Sequence, residues 1–276
     1  MYVDAHQHYW RYDPRRDSWI TDAMSVLRQD FLPDDTAQCA AGGVVAVQAD
    51  QSTAETDFLL DLAAQHAFIR GVVGWIDLRA LDLADQLADW RGASKLKGFR
   101  HIAQAEPDDF LARPEVIRGV TTLGDLGYSY DILIYPRQLF AAETLVAKCP
   151  GVRFVLDHCG KPEIAKRKMS EWQVAMQRMA QHHNVHCKVS GLVNEADWNS
   201  WTDADLVPYL DAVLDAFGAD RLLFGSDWPV CLLAAEYCEV VGVVDRWADR
   251  LTNRERAMLF GGTATAVYQL EGCDGS

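Results

Sequence analysis

Two histidines separated by one residue, His6 and His8, lie within the first ten positions of the 276-residue chain, in the run Tyr2-Val3-Asp4-Ala5-His6-Gln7-His8-Tyr9-Trp10. On a strand, alternate side chains share a face. This spacing therefore predicts Asp4, His6 and His8 on one side and Val3, Ala5 and Gln7 on the other. Two imidazoles about 7 Å apart on one face can converge on a metal ion or on a substrate oxygen. A pair of this kind is a weak motif alone, and its weight depends on what distant segments bring to the same point.

The segments that must position these groups alternate between short β-branched runs and longer runs of helical period. Predicted strands are Val3–His8, Val44–Ala49, Gly71–Ile76, Leu96–Ile102, Tyr130–Tyr135, Arg153–His158, Val185–Ser190 and Arg221–Gly225. Predicted helices are Thr53–His66, with Thr53 as cap, Leu81–Trp90, Pro114–Leu126, Arg137–Cys149, Met169–His183, Asp203–Phe217 and Thr252–Leu259. The last opens with the capping box Thr252-Asn253-Arg254-Glu255. Eight strands alternating with helices predict an α/β fold, a single-domain (β/α)8 TIM barrel spanning residues 1–276. An open doubly wound sheet would show a Gly-rich phosphate turn after an early strand, and none is present. The 10–39 segment is long enough to reach across the barrel mouth, and 271–276 reads as a frayed tail.

In such a barrel the chemistry sits at the C-terminal strand ends. Those ends carry Gln48-Ala49-Asp50, Trp75-Ile76-Asp77, Arg100-His101, Tyr135-Pro136, Asp157-His158-Cys159-Gly160, Lys188-Val189-Ser190-Gly191 and Gly225-Ser226-Asp227-Trp228-Pro229. Asp50 and Asp77 read as helix caps, His101 as a surface imidazole, and Lys188 as either a solvated charge or a substrate contact. Asp227, followed by Trp-Pro, is no ordinary cap. Closure of the barrel would set it beside His6 and His8, giving three imidazoles and one carboxylate at one mouth.

The order His6-x-His8, His158, Gly225-Ser226-Asp227-Trp228-Pro229 resembles the amidohydrolase superfamily, and the wider wording resembles its amidohydrolase 2 lactonase branch. Supporting runs are Leu27-Arg28-Gln29-Asp30-Phe31-Leu32-Pro33, Val47-Gln48-Ala49, Leu96-Lys97-Gly98-Phe99-Arg100-His101, Leu156-Asp157-His158-Cys159-Gly160-Lys161-Pro162 and Cys187-Lys188-Val189-Ser190-Gly191-Leu192. The resemblance covers nearly the whole chain. It implies hydrolysis of a sugar-acid lactone, such as fuconolactone or rhamnonolactone, or of a pyrone dicarboxylate lactone. Strand four lacks the lysine or glutamate that bridges two metals in binuclear members, and strand seven offers Lys188 rather than a histidine, so a binuclear site is not expected. Gly261-Gly262-Thr263-Ala264 carries threonine where relatives usually have asparagine.

For a lactone, Asp227 is the expected base, and His6, His8 and His158 are expected to hold the carbonyl oxygen, directly or through one ion. The reading leans toward a reaction that requires no cofactor. The alternative is a single divalent metal ion such as zinc, held by His6, His8, His158 and Asp227. Substrate contacts are expected from Trp10, Gln48, Trp75, Arg100, Tyr135, Lys188 and Trp228, with Tyr9 and Trp19 nearby. One clear arginine at a strand end favours a neutral sugar lactone over a dianion. Two other readings stand beside this one: a zinc-dependent decarboxylase or other hydrolase of the superfamily, and a catalytically silent barrel that binds a sugar acid.

Composition narrows the partners. With 26 basic and 40 acidic residues the net charge is −14, which argues against nucleic acid and anionic membranes. Seven cysteines without a Cys-x-x-Cys suggest neither a disulfide framework nor a zinc knuckle. No secretory leader or spanning run is read, so a cytoplasmic protein is expected, and the sequence is compatible with a homo-oligomer.

Overall fold

The β-branched runs form parallel strands in the computed structural model, which describes residues 2–36 and 42–271. Cys39, Cys273, the end of the 10–39 segment and residues 272–276 of the expected tail lie outside the described residues. The strands are β1 (Asp4–Gln7), β2 (Val44–Val47), β3 (Ile69–Gly74), β4 (Leu96–Ile102), β5 (Ser129–Leu133), β6 (Arg153–Leu156), β7 (Val185–Val189) and β8 (Leu222–Phe224). They pair in chain order. The sheet closes where Gln7 bridges Trp228 in parallel, with His8 N–H donating to the Trp228 carbonyl at 2.7 Å and Asp227 N–H to that of His6 at 2.9 Å. The result is the (β/α)8 barrel.

Helices follow the strands: α1 (Thr53–Gln65), α2 (Leu83–Gln86), α3 (Pro114–Asp125), α4 (Leu139–Lys148), α5 (Ser170–Met179), α6 (Leu192–Glu195), α7 (Asp203–Phe217), α8 (Tyr237–Trp247), α9 (Asn253–Ala257) and α10 (Thr263–Val267). Several differ from expectation. The cap of α1 is Ser52, whose Oγ accepts from Glu55 N–H at 3.2 Å, and not Thr53. The Leu81–Trp90 helix is cut to α2 and a tight turn at Leu87–Trp90. The Thr252 capping box forms, but its helix widens into a π turn at Met258–Gly262 before α10. Helix α8 was not expected, although Val240, Val243, Val244 and Trp247 bury one helical stripe.

Strand alternation sorts the core. Phe99, Tyr130, Ile132, Phe154, Leu156, Val189 and Phe224 pack outward with the helices. Val3, Ala5, Val45, Val47, Val73, Val155 and Leu223 form a second cluster with Ala264, Val267, Tyr268 and Leu270. Each Val, Leu, Ile or Phe among them contributes about 1.5–3 kcal/mol by leaving water.

Strand β1 corrects the expected face. Asp4 opposes Val44 and Gln7 opposes Ala46, so three steps on β1 meet two on β2. A bulge of this kind re-aims side chains beside it. Asp4 is therefore not a neighbour of the imidazoles. Its carboxylate accepts from Gln7 Nε2 at 2.8 Å, from Ser226 N–H at 2.8 Å and from His6 N–H at 3.2 Å. His6 and His8 are turned toward the residues at the other strand ends.

Candidate active site

Four side chains from three strand ends meet at one point. His6 Nε2 lies 3.1 Å from His8 Nε2 and 3.6 Å from Asp227 Oδ1. His8 Nε2 is 3.4 Å from that same oxygen, and His158 Nε2 is 3.9 Å from it. The backbone makes room for this. A Cβ on Gly225 would stand 2.6 Å from the His6 Cβ, and one on Gly191, at φ +63°, would stand 2.6 Å from His158 Nδ1. His158 and Asp227 themselves adopt φ of 53° and 61°. Left-handed backbone costs a non-glycine residue about 1–2 kcal/mol. Strain at two positions of the cluster fits a site shaped for geometry over stability.

Hydrogen bonds set the ring orientations. His8 Nδ1 is 2.8 Å from the Val47 carbonyl oxygen, which only accepts, so Nδ1 carries a proton and the ring turns Nε2 toward Asp227 and His6. His158 Nδ1 meets Ser190 Oγ at 2.8 Å. Asp227 Oδ2 accepts from Asn194 Nδ2 at 2.9 Å, leaving Oδ1 to face the imidazoles. These donors fit a divalent ion. Bonds of about 2.0–2.2 Å in a tetrahedral shell put donor atoms about 3.3–3.6 Å apart, close to the spacings of His6, His8 and Asp227. A ligating histidine whose other nitrogen is held by a carbonyl is the usual supporting arrangement. A second group of potential ligands, His6, Asp157 and His158, shares His6 with the first.

Beneath the imidazoles lies a buried charged layer. Lys188 Nζ bonds Asp157 Oδ1 at 2.8 Å and Asp131 Oδ2 at 2.9 Å, and stands 3.1 Å from His6 Nδ1. Arg100 Nη1 donates to Asp157 Oδ2 at 3.0 Å and approaches His6 Nε2 at 3.2 Å. Its Nη2 is held by the Gln48 carbonyl. Tyr268 OH donates to Asp131 Oδ2 at 2.6 Å. Two cations and two carboxylates balance within the barrel. Burial pushes Asp131 up to about 6 against the pull of Lys188. Burial also raises Asp157, but Lys188, His6 and Arg100 outweigh it and hold it low.

The clustered groups are shifted as well. Burial, then the Lys188 charge, holds His6 well below the usual imidazole range. Burial brings His158 down to about 4, opposed by Asp227. Burial opposes ionisation of Asp227, but the three imidazoles overcome it and keep its carboxyl below the ordinary range. At neutral pH His6 and His158 are uncharged and Asp227 is ionised.

The cluster opens into a cavity of about 500 Å³. Of the expected substrate contacts, Trp10, Arg100 and Tyr135 line it with His8, His158 and Asp227, and Trp19 and Met24 of the long first connection join them. Gln48 and Lys188 are fully buried behind the cluster. Trp228 packs against Tyr9 and Phe31, and Trp75 donates to His101 Nδ1 at 3.3 Å. None of these four lines the cavity. His101 is not a surface imidazole: it is buried, stacked on Phe110 and 3.0 Å from Glu106. Sequence reasoning missed Lys161, Asn194, Glu195 and Trp198 on the cavity wall. Lys161 lies three residues past His158 in a run already singled out. Asn194 and Glu195 sit on α6, a single turn too short to give a periodic signal.

The amidohydrolase family model matches residues 3–270, and the chain belongs to that family. It is 46% identical to an L-fucono-1,5-lactonase of Burkholderia multivorans (strain ATCC 17616 / 249), over 97% of this chain and 96% of the relative. It is 35% identical to an L-fucono-1,5-lactonase of Burkholderia ambifaria, over 98% of this chain and 96% of that one. The crystal structure of an amidohydrolase from Burkholderia multivorans with bound zinc superposes with a TM-score of 0.95 at 45% identity, covering 98% of this chain and 100% of that one. Among the described residues no helix is long and apolar enough to cross a membrane. The five described cysteines are free.

Proposed function

We propose that this protein is a hydrolase that opens a six-membered sugar-acid lactone to the free acid, with Asp227 as the proton-transfer group and His6, His8 and His158 polarising the carbonyl. The observation that carries this reading is the convergence of three imidazole nitrogens on Asp227 Oδ1 at the foot of the cavity. The names of the two Burkholderia relatives support the ring size and substrate class. A lactone is a cyclic ester. Its opening needs an attacking water, an acceptor for that water's proton, stabilisation of the oxyanion, and a proton for the departing ring oxygen.

Asp227 meets the two proton demands in sequence. Ionised and fixed at Oδ2 by Asn194, it takes the water proton on Oδ1. The protonated carboxyl is then a strong acid and releases the proton to the ring oxygen. His158, neutral and bonded to Ser190, is placed to donate toward the carbonyl oxygen. Such a donor is typically worth about 10²–10³ in rate. Arg100, tied to Asp157 and Gln48, braces His6. His6, His8 and Asp227 are the residues that would hold a divalent ion, which when bound would acidify the water and polarise the carbonyl. The His8 ring held through Nδ1 by the Val47 carbonyl and the donor spacings favour this over the cofactor-free expectation from the sequence.

A panel of 1,4- and 1,5-aldonolactones, followed by acid release with and without a chelator, tests the reading. Turnover of a 1,5-lactone, lost on chelation and restored by zinc, is expected. Turnover that persists after full metal removal would overturn the metal assignment, and no turnover on any lactone would overturn the function.

A further inference from the structure

Lys161 and Glu195 stand in the wall of the reactive cavity, and nothing in the reaction outlined above uses them. Lys161 follows His158 in a left-handed turn, at φ 52°, closed by its own N–H donating to the His158 carbonyl at 2.8 Å. Glu195 ends α6, next to Asn194. Lys161 Nζ and Glu195 Oε1 are 2.7 Å apart, with side chains only 17% and 18% exposed. The Lys161 ammonium also stands 5.9 Å from the centre of the Tyr135 ring. All three residues line both the reactive cavity and an adjoining cleft of about 400 Å³.

Two observations point from this pair to a ligand. Asn194 gives its amide N–H to Asp227, yet its Oδ1 is buried without a partner among the described residues. An acceptor left in this state costs about 1–3 kcal/mol, a cost that a donor on a bound molecule would remove. Lys161 and Glu195 hold further unused valences: an ammonium offers three donors and a carboxylate about four acceptor directions. The other cations of the adjoining cleft are already neutralised, Arg137 by Asp108 at 2.7 Å and Lys166 by Glu163 at 2.5 Å. The wall therefore suits a neutral group that both donates and accepts, and not an anion.

We propose that the Lys161–Glu195 pair, with Asn194 Oδ1, reads the ring hydroxyls of the substrate and is the specificity determinant of the site. This rests on the lactonase reading. A hydroxyl on the ring donates to Glu195 or Asn194 and accepts from Lys161. A ring without hydroxyls leaves these groups buried and unmatched. Sites built to bond a hydroxyl reject analogues that lack it far more strongly than apolar pockets discriminate by size.

The test compares kcat/KM for a polyhydroxylated 1,5-aldonolactone with that for δ-valerolactone, which has the same ring and no hydroxyls, in wild type, Lys161→Met and Glu195→Gln. Wild type is expected to prefer the hydroxylated ring. Each variant should reduce that preference at least about ten-fold, through KM more than kcat. A pair that merely ties the turn after β6 to α6 would lower both substrates together, and an unchanged ratio, with or without a general loss, overturns the proposal. Thermal unfolding of each variant identifies any general loss that comes from instability. Failure of wild type on both lactones instead sinks the lactonase reading itself.

Discussion

Asp227 owes its character to its neighbours. Its carboxyl is buried, which alone would raise its pKa, yet the surrounding imidazoles outweigh burial and keep it below the ordinary range, while Asn194 donates to its Oδ2. Burial acts on the histidines in the opposite sense, favouring their neutral form. His158 is driven by burial from an ordinary 6.5 down to about 4, so the unfolded chain takes up a proton near 6.5 that the folded protein refuses until about 4. The unfolded state binds more protons across that window, and stability falls as pH drops through it. The urea midpoint should decline from pH 6.5 to 4, and less steeply in His158→Gln. A midpoint level across the window in wild type would contradict the buried, neutral His158. At this scale the sequence was most informative about which titratable groups come together. His6, His8, His158 and Asp227 were legible because each is titratable and ends a strand. Lys161 and Asn194 were not, because their significance lies in partners 34 and 33 positions away.

The strand-to-turn junctions hold these groups in place, and glycine does so where a side chain has no space. Gly191 combines φ +63° with a Cβ position 2.6 Å from the His158 ring. In Gly191→Ala the ring must move off Ser190. Turnover should fall by at least about ten-fold, with a stability loss of about 1–3 kcal/mol from backbone and contact together. Unaltered kinetics in a folded Gly191→Ala would show that the His158 position is not critical. Elements themselves were legible where periodicity was long: β4 and α7 have the predicted bounds. Helix α8 was legible and overlooked, since Glu236 and Glu239 form a capping box ahead of an apolar stripe. The β1 bulge was not legible. Periodicity assumes uniform pleating, and only pairing with β2 reveals the extra residue that separates Asp4 from the histidines.

For the whole molecule, alternation of strand and helix was enough to predict the barrel, and closure between β8 and β1 is what joins residues 6 and 227. What alternation did not reveal is the charged layer inside it. Lys188 read as a solvated charge or a substrate contact. In the barrel it is fully buried between Asp131 and Asp157. Removing one member of such a group strands the others, at about 3–5 kcal/mol. Lys188→Met should therefore lower the unfolding midpoint markedly, and a variant of wild-type stability would show that the layer contributes no net cohesion. The most direct measurement on the whole molecule is ring opening itself. Acid release from a 1,5-aldonolactone should be rapid in wild type. In Asp227→Asn it should be at least about 10³-fold slower, with circular dichroism unchanged, since that variant keeps the shape and removes the proton acceptor. A folded Asp227→Asn that opens the lactone at the wild-type rate would contradict the account at its centre.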